Sequence, residues 1–195
     1  MYRDSGKLDL IIGCMFTKKT SELLDKLSIL SETGLKVLYI NSTLDTRDNE
    51  VSTHNKMLNL HKIKSIKNLD FIKLDTLKGV RKEEYDVIGI DEAQFFDESL
   101  LEFVEVHVDV YKKHLIVCGL NGDLNRKKFG YILDLIPICD TIEKKRTYCT
   151  LCAKHYKQRK ALFSYKFEKT NSDVGGKETY IPLCRNCYNE NSKKY

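Results

Sequence analysis

The sequence predicts an α/β protein: a P-loop parallel sheet with crossover helices, followed by a small C-terminal zinc-binding lobe. Three observations carry this. Short apolar runs alternate with helical segments through the first two thirds of the chain. A strand-loop-helix segment from Gly13 to Thr20 has the outline of a phosphate loop. Two C-x-x-C pairs, Cys149 with Cys152 and Cys184 with Cys187, stand near the end. Strands alternating with helices argue for a parallel sheet, whose neighbouring strands must be joined by crossovers.

Taken in order, Leu8 to Ile12 is an apolar run ending at Gly13, which suits a buried strand. Thr20 to Leu30 carries Leu23, Leu24, Leu27 and Leu30 at helical spacing. Lys36 to Ile40 reads as a second strand, and Tyr85 to Ile90 as a third that runs into Asp91. Asp97 to Val110 reads as a helix with Leu101, Val104 and Val108 on one face. Leu115 to Cys118 reads as a fourth strand closed by Gly119. Between Asn41 and Lys82 the pattern supports no assignment. From about Thr147 the texture changes to short pieces, cysteine pairs and Lys-rich turns. The expected division is therefore 1–146 for the sheet domain and 147–195 for the lobe, hinged at Lys144 to Arg146.

The chain has 195 residues, enough for one medium domain and a small appendage. A net charge of +5 fits an anionic ligand without choosing between nucleotide and nucleic acid. The N-terminus has no signal-peptide pattern, and no apolar run approaches the length of a membrane span. Seven cysteines in that context point to a reducing, cytoplasmic setting. Cys14, Cys118 and Cys139 lie in apolar surroundings and read as small core residues.

Four thiolates in two C-x-x-C knuckles match what Zn²⁺ asks of a structural site. Unrelated surface cysteines are the bland alternative. A redox C-x-x-C would be expected near a βαβ pattern, and these pairs follow the β/α-like half. A closed four-cysteine site has no open coordination position, so the chemistry is expected upstream.

Gly13-Cys14-Met15-Phe16-Thr17-Lys18-Lys19-Thr20 keeps the first glycine, lysine and threonine of G-x-x-x-x-G-K-[ST]. In that motif backbone amides and a helix N-terminus cradle phosphates, the lysine binds them, and the hydroxyl reaches Mg²⁺. Lys18 stands where the second glycine belongs. Its side chain either crowds the nucleotide or points outward. Asp91 ends an apolar strand, where a Mg²⁺-binding carboxylate is expected. Glu92 follows and faces another way, so it can serve as a general base. An Asp-Glu pair at a strand end is also common as a helix N-terminal charge pair.

With these residues on the page, the chain resembles the type II thymidine kinases, the family of vertebrate cytosolic and poxvirus enzymes. The resemblance rests on the loop from Gly13 to Thr20, Asp45-Thr46-Arg47, and Ile90-Asp91-Glu92-Ala93-Gln94-Phe95-Phe96. It continues through Gly119 to Gly130, Val174-Gly175-Gly176 with Tyr180, and the four cysteines. What it implies is a RecA-like P-loop fold and Mg-ATP-dependent phosphorylation of thymidine at its 5′-hydroxyl. Glu92 falls on the catalytic base. Thr20 and Asp91 fall on the Mg²⁺ positions. Gly13, Cys14, Met15, Phe16, Thr17, Lys18, Lys19, Asp45, Arg47 and Gln94 fall in the ATP site. Met15, Phe95, Leu124 and Phe129 match the walls of the thymine site. Asp173, Val174, Gly175 and Gly176 match the backbone that reads the base, and Tyr180 stands beside it. Cys149, Cys152, Cys184 and Cys187 match the zinc site that anchors a lasso loop over the nucleoside. The family also implies a homotetramer and feedback inhibition by thymidine triphosphate.

The chain departs from the family pattern at Lys18, at Cys14 and Lys128 where prolines are usual, and at Leu124 where an aromatic ring is common. These changes motivate a second reading, a nucleotide-binding family member with weak kinase activity. A third reading takes the zinc lobe and the Lys154 to Lys160 cluster as a nucleic-acid-binding surface. The interspersed charges favour an ordinary solvated face instead.

Overall fold

The computed structural model describes residues 5–45, 65–167 and 179–192. Six strands form one sheet: β1 (Lys7–Gly13), β2 (Val37–Ser42), β3 (Leu69–Leu74), β4 (Val87–Ile90), β5 (His114–Leu120) and β6 (Thr141–Lys144). Their order is β3-β2-β4-β5-β1-β6, and every neighbouring pair is parallel. All strands therefore point their C-terminal ends to one edge, where open α/β sheets hold their ligands.

Helix α1 (Lys19–Glu32) covers one face of the sheet. Its Leu23, Leu24 and Leu27 pack with Ile11, Val37, Tyr39, Val87, Ile116 and Cys118. Each of the three leucines is fully buried, and each such burial contributes roughly 2 kcal/mol. Helix α2 (Ser99–Glu105) covers the other face with Leu100, Phe103 and Val104 against Leu8, Leu10, Ile88 and Val117.

The helix expected from Asp97 to Val110 is shorter. After Glu105 it widens into a π turn, Val106–Val110, closed by Tyr111 N donating to the Val106 carbonyl at 3.0 Å. His107 lies inside this turn, fully buried. Its Nε2 accepts from the Lys82 amide at 3.1 Å, so Nδ1 carries the proton given to the Phe103 carbonyl at 2.7 Å. Burial pushes the His107 pKa down and keeps the ring neutral. Leu101 is only partly buried, and the buried face is Leu100, Phe103, Val104, His107 and Val108.

Two strand limits also differ from expectation. Tyr85 precedes β4: its ring packs under the Lys36 ammonium and its hydroxyl donates to Asp70 Oδ2 at 2.8 Å. Gly119 does not close β5 but lies within it. A Cβ at Gly119 would come within 2.7 Å of Gln94 Oε1, so the glycine admits the Gln94 side chain over the strand. β3 and β6 carried no readable signal. β3 is half-exposed along most of its length, and all four residues of the edge strand β6 are exposed. Cys139 is only partly buried, packed at the margin of the core just before that edge.

At the opposite end of the sheet, Asp9 is buried. It accepts from Lys7 Nζ at 2.8 Å, His114 Nε2 at 2.7 Å and the Thr141 hydroxyl at 2.6 Å. Burial alone would raise its pKa, but these hydrogen bonds outweigh it and bring the carboxyl to about 2. A depressed carboxylate stabilises the fold above its unfolded pKa and loses that contribution as pH falls through the folded value. We expect stability to drop by roughly 2 kcal/mol between about pH 4 and pH 2 through this group. Urea denaturation across that window should show the loss, and Asp9→Asn should flatten it. An unchanged pH profile in the variant would remove Asp9 from this role.

After Lys144 the described residues form two antiparallel strand pairs and two short helices. β7 (Thr147–Tyr148) pairs antiparallel with β8 (Lys160–Ala161), and β9 (Phe163–Lys166) with β10 (Tyr180–Leu183). Helix α3 (Thr150–Ala153) begins directly after Cys149, and α4 (Arg185–Ser192) directly after Cys184. No helix among the described residues is long and apolar enough to cross a membrane.

Candidate active site

β1 runs into the loop at Gly13, and α1 starts at Lys19, so the loop spans the C-terminal edge of the sheet. A Cβ at Gly13 would meet the Lys145 carbonyl at 2.7 Å, which explains the glycine. Lys145 is itself pinned to Glu22 of α1 at 3.1 Å and to Glu143 at 2.9 Å. Inside the loop, the Cys14 carbonyl accepts from Thr17 Oγ1 at 2.9 Å and from Lys19 Nζ at 3.0 Å. Lys19 is thereby buried and centred on the loop.

Lys18 adopts a left-handed conformation, φ 60° and ψ 33°, and its side chain is exposed. The loop therefore keeps a turn suited to glycine, with the lysine directed to solvent rather than packed into the fold. Left-handed backbone costs a non-glycine residue ~1 kcal/mol or more, and the flexibility of glycine in the unfolded chain offsets part of that. Lys18→Gly should gain about 0.5–1 kcal/mol in a urea titration. A destabilised glycine variant would show that the lysine side chain itself holds the loop.

Asp91 and Glu92 follow β4 at the same edge, 2% and 7% exposed. Asp91 turns toward α1 and β2: Tyr39 donates to its Oδ2 at 2.9 Å, and Thr20 and Cys118 hydrogen-bond to it. Burial first, and the Glu92 charge second, push the Asp91 carboxyl above the usual range. The buried Asp91 carboxylate beside the Thr20 hydroxyl is a pair of hard-oxygen donors whose charge a divalent cation would relieve, so these two residues fit Mg²⁺. Glu92 turns the other way. Its backbone is left-handed at φ 48°, and its Oε2 accepts from Gln94 Nε2 at 2.5 Å. Gln94 in turn accepts from the Leu120 amide at 2.9 Å.

Leu120 lines a cavity of about 210 Å³ together with Met15, Leu124, Phe129, Ser164 and Tyr180. Phe95 does not line it but packs edge-on against Phe129, ring centroids 5.8 Å apart. Asp45 is buried after β2 and accepts from Asn41 Nδ2 at 3.2 Å. Arg47 and Asp173, Val174, Gly175 and Gly176 lie outside the described residues.

The four cysteines converge, their Sγ atoms all within 4.8 Å of one another. Cys152 Sγ lies 3.5 Å from that of Cys187 and 3.8 Å from that of Cys184. A tetrahedral Zn–S distance of ~2.3 Å sets S···S edges near ~3.8 Å, so the cluster fits the ion. Burial pushes the Cys149 thiol up, but backbone hydrogen bonds at Cys184 and Cys152 outweigh it and bring it to about 7. Cys14, read as a simple core residue, is buried in this cluster's surroundings beside Leu183 and Tyr188.

Sequence reasoning missed Tyr39 and Ser164. Tyr39 looked like an ordinary strand residue, and only the pairing of β2 with β4 sets it against Asp91. Ser164, whose Oγ accepts from the Met15 amide at 3.0 Å, sits on a strand with no pattern of its own.

A phosphate loop, a buried carboxylate pair at the next strand but one and an apolar cavity alongside define a P-loop phosphotransferase with a small-molecule acceptor site. Comparison with known proteins narrows the class. A family model described as thymidine kinase matches residues 6–188. The thymidine kinase of Choristoneura fumiferana entomopoxvirus is 36% identical over 192 residues, 95% of this chain and 97% of that protein. That of Oryza sativa subsp. japonica is 35% identical over 189 residues, 94% of this chain and 66% of the relative. That of the bacterium Pseudothermotoga lettingae is 32% identical over 194 residues, 97% and 98%. The chain belongs to the thymidine kinase family.

Proposed function

We propose that the chain transfers the γ-phosphoryl group of Mg-ATP to the 5′-hydroxyl of thymidine, giving dTMP, with Glu92 as the general base. The supporting observation is the divergence of the two carboxylates. Asp91 reaches Thr20 at the phosphate loop, and Glu92 reaches Gln94 and, through it, the cavity residue Leu120. Phosphoryl transfer needs positioning, charge neutralisation and a base at the acceptor, and these groups supply all three.

Loop amides from Gly13 to Lys19 and the start of α1 hold the phosphates, with Lys19 adding its charge. Thr20 and Asp91 would hold Mg²⁺, which neutralises phosphate charge when bound. Gln94 fixes the Glu92 carboxylate, which accepts the 5′-hydroxyl proton as the nucleoside oxygen attacks the γ-phosphorus and ADP departs. Met15, Leu124, Phe129 and Tyr180 give a flat nucleoside base apolar walls. Asp45, Arg47 and the backbone of 173–176 complete the two sites in this reading. Residues 1–146 form the kinase domain, and 147–195 the zinc lobe that shapes the nucleoside side.

The reading extends to a cytoplasmic homotetramer. Ile136, Ile138 and Ile142, on and just before the edge strand β6, are exposed apolar side chains of the kind that assembly would cover. The deciding experiment for function is a thymidine phosphorylation assay with ATP and Mg²⁺ on zinc-replete protein. Turnover of thymidine to dTMP supports the reading, and nucleotide binding without turnover overturns it.

A further inference from the structure

The loop that carries Leu124 and Phe129 is a tight turn fastened from within. Asp123 Oδ1 accepts from the amides of Asn125 at 2.9 Å and Lys127 at 2.7 Å, and Arg126 takes a left-handed φ of 64°. Its outer fastening comes from the zinc lobe. Tyr188, adjacent to Cys187 and nearly fully buried, donates its hydroxyl to the Leu124 carbonyl. The Arg126 guanidinium lies 4.8 Å from the Tyr188 ring centre and 5.6 Å from that of Phe163. It also donates to Asn189 Oδ1 at 3.0 Å. Helix α4 is thus tied to the loop by a hydroxyl, a stacked cation and an amide partner, all within one turn of the metal-site cysteine Cys187.

We propose that Tyr188 and Arg126 are positioning residues that set the Leu124 wall of the nucleoside site and make its shape depend on the zinc cluster. Neither residue needs to touch a substrate. A backbone carbonyl held by a buried phenol fixes where Leu124 projects into the cavity, and the stacked guanidinium keeps the turn seated on α4. This inference rests on the thymidine reading for the identity of the ligand, though not for the fastening itself.

Tyr188→Phe keeps the packed ring and removes only the hydroxyl, so it isolates the bond to Leu124. Zinc-replete variant and parent should carry the same metal content by elemental analysis. KM for thymidine should rise roughly three- to tenfold, the worth of one hydrogen bond, with kcat within about twofold. Binding of a non-hydrolysable ATP analogue should be unchanged, and amide hydrogen exchange across residues 121–130 should quicken. Arg126→Lys, at an exposed position, should shift thymidine KM and loop exchange in the same direction without metal loss, guarding against a misfolded first variant. The proposal is overturned if both variants keep thymidine KM and loop exchange at the parent values, or if losses fall equally on both substrates. Failure of the thymidine reading would show separately, as a parent protein inactive on thymidine but with loop exchange still responsive to Tyr188→Phe.

Discussion

Glu92→Gln should reduce thymidine turnover by about 10²–10⁴ while leaving ATP-analogue binding nearly intact. The substitution keeps size and shape. The new side chain can present its carbonyl oxygen to Gln94 Nε2, so the hydrogen bond that fixes position 92 survives. What disappears is the ability to accept a proton from the acceptor hydroxyl. Asp91 stays bonded to Tyr39 and Thr20, so the metal side of the site is undisturbed. Single-turnover rates with calorimetric titration of the ATP analogue separate the two effects. A variant that turns over at the parent rate would strip Glu92 of its role.

We expect a zinc ion at the four-cysteine cluster, and Cys184→Ser should lose it and with it the fold of the lobe. Structural zinc sites supply folding free energy outright, of order 10 kcal/mol in small zinc modules, and a missing thiolate forfeits much of it. Elemental analysis should find the metal gone, and calorimetry a lowered melting temperature. Thymidine binding should suffer first, because Ser164 and Tyr180 of the lobe line the cavity and Tyr188 holds Leu124. ATP binding should weaken too, though less. The lobe reaches the phosphate loop through the Ser164–Met15 hydrogen bond and through Cys14, which belongs to the lobe's buried apolar cluster. Unchanged metal content in the variant would remove Cys184 from the ligand set.

The sequence made the central sheet readable where strands are buried on both faces. β1, β2, β4 and β5 are continuous apolar runs because helices cover both of their sides. β3 and β6 lie at the sheet's edges, where fewer neighbours demand apolar residues, and their patterns dissolve into the background. The candidate site was legible wherever the residue type itself suggests chemistry, as with Lys19, Asp91, Glu92 and the cysteines, which the fold gathers at one sheet edge and in one thiol cluster. The supports were not. Tyr39, Ser164 and Tyr188 act through partners far away in the chain, and nothing local marks a tyrosine that will meet a carbonyl 64 residues distant. Lys18 shows the converse. Its exposed side chain and left-handed backbone separate the shape of the loop from the residue that usually provides it.

Met15 belongs to two neighbourhoods at once. Its amide is tied to Ser164 and its residue lines the cavity of about 210 Å³, yet it stands between Gly13 and Lys19 in the phosphate loop. In the proposed reaction, donor and acceptor sites therefore share a wall. Selection or engineering that alters this position to admit a bulkier nucleoside analogue also re-tensions the segment that grips ATP. Resistance or altered preference gained at Met15 carries a kinetic handicap on the other substrate, whereas changes at Leu124 or Phe129, outside the phosphate loop, leave that segment alone.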